Sequence, residues 1–168
     1  MNILQEMVFI SEIVLQSKIA QKAAERLQAT HNNFDPVEVW CSIQSILVAA
    51  GNVSKILWPI KKEHKVRGEK LRQLLKLEND NILSDRKFRN YFEHYDERIE
   101  DWFKNQPSAV YRDAAMNPTL TGFMSSSVNR GYNSFNNTLV FRGETLDLNE
   151  VLKALEVVFE KCQGCGMN

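Results

Sequence analysis

Two long stretches with apolar residues at helical spacing fill the first third of the chain, and they restrict the fold to one built on helices. In the first stretch, from about residue 2 to residue 30, the recurring apolar residues are Ile3, Met7, Ile10, Val14, Ala20, Ala24 and Leu27. Asp35 followed by Pro36 is typical of a helix N-cap and first turn. The second stretch starts there and stops before Pro59, because the residue before a proline disfavours the helical conformation. Its small segment 49–51, Ala-Ala-Gly, suits close packing against a neighbouring helix.

Shorter signals predict the remaining helices. Leucines within the basic segment 61–76 indicate a short third helix. Ser84-Asp85 is a cap signal for a fourth helix, and Asp147 with Glu150 resembles a capping box for the last one. The predicted bounds are about 68–77 for the third helix, 85–104 for the fourth and 147–161 for the last.

The region between the fourth and last helices has a different character. Residues 107–137 are rich in Ser, Asn and Gly without a sustained period, which predicts mostly loop. Two apolar runs within 138–146, joined through Arg142-Gly143-Glu144, predict a small β-hairpin. The predicted fold class is therefore all-α, a bundle of four to five helices with a small β-hairpin before the last helix. The length predicts a single domain over residues 1–168, in which 107–146 form a loop and hairpin insertion.

Composition limits the classes of function. Lys+Arg and Asp+Glu both number 21, so the formal net charge is zero and any binding of nucleic acid must use a local patch. The apolar N-terminus is interrupted by Glu6, Glu12 and Lys18, which is unlike a signal peptide or a membrane span. Three cysteines do not make a disulfide framework. We therefore expect a cytoplasmic protein that does not associate with a membrane.

The candidate chemistry lies in the fourth predicted helix, in the hexapeptide RNYFEH. On a straight helix that turns 100° per residue, an arc of about 120° would face the core. Its members are Phe88, Tyr91, Phe92, Tyr95, Ile99, Trp102 and Phe103. Arg89, Asn90 and His94 fall outside this arc, and Arg89 and His94 are about 140° apart on the polar side. The pairs that stack four residues apart are Arg89 with Glu93, and Asn90 with His94.

These three side chains suit the cleavage of a phosphodiester without a metal or a cofactor. Histidine titrates near neutral pH, so His94 can take a proton from a ribose 2′-hydroxyl or give one to a leaving oxygen. Arg89 can bind the phosphate through its planar fork, and Asn90 can orient either group. Arg86, one turn before Asn90, is a candidate second phosphate contact. Because a straight helix separates Arg89 from His94, a second copy packed across the polar side would complete the site, which predicts a homodimer.

Simpler explanations exist for the same features. A polar helix face with Arg, Glu, His and Asp is usually a solvated surface with weak ion pairs. The basic segment 61–76 can be a solvated face or can guide an RNA backbone toward the motif. Cys162 and Cys165 have metal-ligand spacing, but the sequence holds no second such pair to complete a zinc site, so we expect a frayed tail and no metal.

RNYFEH resembles the Arg-polar-x3-His motif of the HEPN superfamily (higher eukaryote and prokaryote nucleotide-binding domains). Arg89 matches the motif arginine, Asn90 the polar residue after it, and His94 the motif histidine. The wider run SDRKFRNYFEHYDERIEDW is also similar to a group of uncharacterised bacterial proteins of about this size. The resemblance rests on six residues and covers the bundle in general, but the region 107–146 is not part of the minimal bundle.

The resemblance implies a HEPN-like helical domain, often dimeric, with metal-independent endoribonuclease activity. Cleavage would leave a 2′,3′-cyclic phosphate, and the two motif copies would meet at the dimer interface. The resemblance further implies RNA as substrate, a setting in toxin–antitoxin systems or phage defence, and an antitoxin or other protein as partner. Some relatives lack nuclease activity, so the alternative is a non-catalytic helical module that binds a nucleotide, RNA or a protein through the same polar face.

Overall fold

The structure is a computed structural model that describes residues 2–105, 111–120 and 128–165, except for the side chain of Phe88. The helices are α1 (Ile3–Ala29), α2 (Pro36–Leu57), α3 (Lys62–Leu74), α4 (Lys87–Glu93), α5 (Tyr95–Asn105) and α6 (Leu148–Cys165), with a 3-10 turn at Ile82–Ser84. The strands are β1 (Ala115–Met116), β2 (Arg130–Asn133), β3 (Thr138–Phe141) and β4 (Glu144–Asp147). The described chain is thus mostly helical, with a small four-stranded sheet.

The first two helices confirm the prediction and show the expected caps. The Asn2 side chain accepts a hydrogen bond from the Gln5 backbone N–H at 2.8 Å, while the Gln5 side chain accepts one from the Asn2 N–H. At the start of α2, the Asp35 carboxylate accepts from the Val37 N–H at 2.9 Å. These bonds use backbone donors that have no partner inside the helix, so they fix both N-termini.

Two later helices extend beyond their predicted bounds. α3 begins at Lys62, six residues before the expected start, although it ends at Leu74, three residues before the expected end. α6 continues to Cys165, so the expected frayed tail at Cys162 and Cys165 is wrong as far as the described residues reach. Cys162 is buried, and burial raises the pKa of its thiol to about 12.

The sheet follows the order β1-β2-β3-β4. The β3–β4 hairpin is confirmed, and its turn residues Arg142 and Gly143 both have positive φ, as a two-residue hairpin turn requires. β2 pairs antiparallel with β3, and β1 pairs parallel with β2. The all-α class is therefore only partly right, because β1 and β2 come from the region 107–137 that was expected to be mostly loop. The parts of that region outside the described residues, 107–110 and 121–127, leave the loop prediction untested there.

The predicted fourth helix is broken at His94. His94 has φ −114° and ψ 42°, which separates α4 from α5. The break changes which residues of the expected apolar arc face inward. Trp102 is buried, whereas Tyr95 and Phe103 are about half exposed; the side chain of Phe88 lies outside the described residues.

The main core lies where α1, α2 and α6 meet the sheet. α1 packs most extensively on α2, and α6 packs mainly on α1. The largest fully buried side chains in this core include Ile13, Ile43, Ile46, Leu57, Leu71, Tyr132, Leu139 and Leu148. α4 packs on α2 beside this core.

Among the described residues, no single helix has both the length and the apolar content to cross a membrane. α2 and α3 have them only when they are taken together, and the chain bends by 97° between them.

Candidate active site

Arg89 lies in a crevice between α4 and α2 and not on an open polar face. Its side chain is only 12% exposed. The crevice exists because residue 51 is a glycine: a Cβ there would lie 2.2 Å from Cδ of Arg89. The small segment that suggested close packing of a neighbouring helix therefore accommodates an arginine side chain. Its Ala49 is fully buried.

The Arg89 guanidinium has partners on its own helix. Its Nη2 donates to Oδ1 of Asn90 at 2.8 Å, so Asn90 orients Arg89. Oε2 of Glu93 lies 3.3 Å from Nε, which confirms the predicted Arg89–Glu93 pair. Nε and Nη1 are nevertheless buried and form no hydrogen bond within the described residues. A buried charged donor without an acceptor, as Nη1 is within the described residues, is unfavourable by about 1–3 kcal/mol or more, so this site favours an added anionic acceptor.

His94 occupies the break between α4 and α5. Its side chain is 54% exposed, and Nδ1 lies 3.5 Å from Oε1 of Glu97. Asn90 was predicted to stack on His94, but its side-chain oxygen accepts a hydrogen bond from Arg89. The straight-helix separation of about 140° does not apply across this break. Within the described part of the chain, His94 does not line the cavities that Arg89 lines.

Arg86 is directed to the end of α2. Its Nε donates to Oγ of Ser54 at 3.1 Å, and its Nη2 donates to the backbone oxygens of Ser54 and Trp58. Burial lowers the pKa of the Arg86 guanidinium, and the nearby Arg89 charge acts in the same direction. The structure thus places this predicted phosphate contact in a helix-capping position instead of on an open face.

A cavity of about 390 Å³ opens beside Arg89; we call it the site cavity. Its walls come from α2, from the motif region and from β2. The lining residues are Gln44, Leu47, Val48, Arg89, Phe92, Glu93, Tyr95 and Arg130. The lining thus contains two guanidinium groups and one carboxylate.

Arg130 of β2 also lines the site cavity, although the sequence did not identify it as a candidate residue. It forms a two-pronged ion pair with Asp113: Nε lies 2.8 Å from Oδ1 and Nη2 lies 2.5 Å from Oδ2. Its guanidinium also lies over the rings of Trp40 and Phe92, at 5.8 and 5.6 Å from their centroids. No spacing signal marks the Asp113–Arg130 pair, because it forms within the region that was expected to be loop.

The ion pair shifts the pKa of both partners. Burial of the Asp113 carboxylate raises its pKa, but the hydrogen bonds and charge of Arg130 outweigh burial and hold the pKa below its usual range. Hydrogen bonding to Asp113 raises the pKa of Arg130 despite partial burial. Arg130 is therefore a fixed positive charge in the wall of the cavity.

α4 is tied to the β3–β4 hairpin through Glu144. The Tyr91 hydroxyl donates to Oε2 of Glu144 at 2.8 Å, and Nζ of Lys87 lies 2.7 Å from the same oxygen. The Tyr91 ring stacks on Phe141 with centroids 4.1 Å apart. These contacts lower the pKa of Glu144, chiefly through Lys87. The predicted insertion therefore supports the motif helix.

Among the described residues, no group of three or more His, Cys, Asp or Glu side chains is arranged to hold a metal ion. Comparison of the chain with protein-family models, with curated proteins and with solved structures finds no match.

Proposed function

We propose that the chain is a metal-independent endoribonuclease of the HEPN type. Arg89 is the phosphate-binding residue, Asn90 orients it, and His94 is the general acid or base. The observation that carries the proposal is the buried Arg89 guanidinium, two of whose donors form no hydrogen bond within the described residues, five residues before an exposed histidine. A solvated surface arginine has no need of a glycine-lined crevice.

The proposed reaction is a transesterification at phosphorus. Neutral His94 accepts the proton of the ribose 2′-hydroxyl, and the 2′-oxygen forms a bond to phosphorus. The bond from phosphorus to the 5′-oxygen breaks, and the leaving oxygen takes a proton from water, while protonated His94 returns its proton to solvent. Arg89 donates hydrogen bonds to the non-bridging oxygens as their charge grows. The products are a 2′,3′-cyclic phosphate and a free 5′-hydroxyl.

We also propose that the chain is a homodimer, joined through an apolar face of α1. This α1 face consists of Ile3, Leu4, Met7, Val8, Leu15 and Ile19, each between 39% and 77% exposed. Contiguous apolar patches of this kind mark interaction surfaces.

The α1 face is complementary to itself. Leu4, Val8, Ser11, Leu15 and Ile19 fall within an arc of about 80° on the helix. In an antiparallel pair related by a two-fold axis near Ser11, Leu4 of one copy lies opposite Ile19 of the other, and Val8 opposite Leu15. This interface differs from the one that the resemblance implies, in which the two motif copies meet.

The proposed setting is the cytoplasm, with cellular RNA as the substrate. An antitoxin or another inhibitory protein is the partner that such an activity requires, because an unregulated ribonuclease damages its own cell.

One observation favours a second candidate, a non-catalytic module that binds a nucleotide, RNA or a phosphorylated partner. His94 does not line the site cavity among the described residues. Phosphate binding by Arg89 then occurs without an acid or base in reach.

The chemistry of the product separates the two candidates. We expect the native chain, in excess chelator, to cut an oligoribonucleotide and leave a 2′,3′-cyclic phosphate, and to leave the 2′-O-methyl version of the same sequence intact but bound. Cleavage of both substrates, or cleavage that stops when chelator is added, contradicts the proposed mechanism. Binding of both substrates without any cleavage supports the second candidate.

A further inference from the structure

Arg89 needs a second cationic group if it is to bind a phosphodiester tightly, and Arg86 does not supply it. The Nε and Nη2 donors of Arg86 are used by carbonyl and hydroxyl oxygens at the end of α2. The lining of the site cavity contains another guanidinium, that of Arg130 from β2. Arg89 and Arg130 thus reach one cavity from two elements that are far apart in sequence.

Arg130 is held in place before any ligand arrives. Asp113 takes its Nε and Nη2 donors, and its Cζ lies over the rings of Trp40 and Phe92. No hydrogen bond of Nη1 forms within the described residues, so this donor remains for another acceptor. A preorganised donor loses little conformational entropy on binding.

The shape and lining of the site cavity suit one nucleotide unit. Its volume of about 390 Å³ lies in the range of small-ligand sites, roughly 300–1,000 Å³. Phe92 and the half-exposed Tyr95 offer ring surface beside the two guanidinium groups. Proteins recognise single-stranded RNA with such a combination, because aromatic side chains stack on the bases and cationic groups contact the phosphates.

We propose that Arg130 is a second phosphate-binding residue, and that the site cavity holds one phosphodiester of single-stranded RNA between Arg89 and Arg130. This inference rests on the proposed function for its substrate class. Asp113 is then a positioning residue, which fixes the Arg130 fork and also competes with the phosphate for it.

The test uses the binding of a fluorescent 2′-O-methyl oligoribonucleotide, measured by anisotropy over a range of salt concentrations. We expect Arg130→Gln to weaken binding about tenfold and to lower the salt slope by about one phosphate contact. Asp113→Asn retains one oxygen that can accept from the Arg130 guanidinium and orient it, but removes the negative charge that competes with the phosphate, so binding by that variant stays equal or becomes tighter. Lys104→Gln removes the same charge from the exposed far end of α5 and serves as the matched control.

The different responses of the two variants distinguish ligand binding from mere support of the sheet. A structural role alone predicts that Arg130→Gln and Asp113→Asn weaken binding equally, and that result overturns the inference. Equal binding by Arg130→Gln and Lys104→Gln overturns it as well, as does a native chain that does not bind. If Arg130→Gln fails to fold, Arg130→Lys retains the charge without the fork, and we expect it to bind more weakly than the native chain but to keep the native salt slope.

The same samples keep this inference separate from the proposed ribonuclease activity. Arg130-dependent binding without cleavage of unmodified RNA refutes the activity and leaves the binding site intact. Cleavage with binding that does not depend on Arg130 refutes only the site described here.

Discussion

At the scale of single residues, the absence of a side chain at residue 51 decides where Arg89 goes. A methyl group at this position would lie 2.2 Å from Cδ of Arg89, so the arginine must leave its crevice in a Gly51→Ala variant. Alanine is a better helix former than glycine by about 1 kcal/mol, so α2 itself is not weakened. We expect RNA cleavage to fall at least about tenfold while the circular dichroism spectrum stays unchanged.

Gly164→Ala is the matched control, because a Cβ at that helical position meets no atom within 4 Å. It should cleave RNA like the native chain. Full activity in Gly51→Ala would show that the buried position of Arg89 is irrelevant to function.

The Asp113–Arg130 pair makes a pH-dependent contribution to stability. The pKa of Asp113 is lower in the folded chain than in the unfolded chain, where it is about 3.9. The contribution is therefore fully present above about pH 4 and is lost as the pH falls through the folded pKa. We expect Asp113→Asn to melt below the native chain at pH 7, and the difference in Tm to shrink at pH 3. A difference of the same size at both pH values contradicts the assignment of the lowered pKa to this pair.

The sequence identified some of these residues and missed others for physical reasons. The motif could be found from the sequence because its three residues lie within one hexapeptide. These residues are Arg89, Asn90 and His94. The burial of Arg89 depends on Gly51, which is 38 positions away in the chain and belongs to another helix. Arg130 was missed because its partner Asp113 lies in a region without periodicity, where sequence gives no register.

At the scale of elements, long and strongly periodic segments were predictable and short ones were not. α1 and α2 carry repeated apolar spacing and clear cap residues, and the β3–β4 hairpin carries a turn that needs positive φ. β1 has only two residues and β2 only four, too few for a period to be recognised.

The break at His94 was not predictable because the apolar spacing continues across it. Tertiary contacts decide the conformation there. α4 is fixed by Tyr91 and Glu144, while α5 buries Trp102 close to Arg142, whose guanidinium lies 5.8 Å from the ring centroid. The two halves of the predicted helix are therefore held by contacts with different residues.

Arg86 binds the carboxyl end of α2, which predicts that this residue stabilises the fold. Ser54 and Trp58 accept its hydrogen bonds, and the negative end of the helix favours its charge. We expect Arg86→Gln to lower the free energy of unfolding by about 1–3 kcal/mol in a urea titration, because partly buried carbonyl groups lose a charged donor.

Lys87→Gln is the neighbouring control. Lys87 is half exposed, and its ion pair with Glu144 is worth at most about 1 kcal/mol. If Arg86→Gln is as stable as the native chain but binds RNA weakly, Arg86 is a substrate contact, as the sequence first predicted.

At the scale of the whole molecule, the α1 face makes assembly testable apart from catalysis. We expect the native chain to sediment as a dimer and Leu15→Lys to sediment as a monomer with unchanged helix content, because Leu15 is half exposed and contributes little to the core.

Gln28→Lys places the same charge on the far end of α1, outside the α1 face, and should remain dimeric. A dimer that persists in Leu15→Lys would move the interface elsewhere, with the motif region as the next candidate. A native monomer at micromolar concentration would contradict the homodimer itself.

We propose that Arg89 and His94 cleave RNA without a metal ion. The most direct measurement is the initial rate of cleavage of a single-stranded oligoribonucleotide in excess chelator, for the native chain, Arg89→Ala, His94→Ala and His64→Ala. His64 is a partly exposed histidine on α3 and controls for the loss of any imidazole. We expect the rate to fall at least about 100-fold in Arg89→Ala and His94→Ala and to stay at the native value in His64→Ala. Equal rates in all four proteins, or no cleavage by the native chain, would contradict the claim.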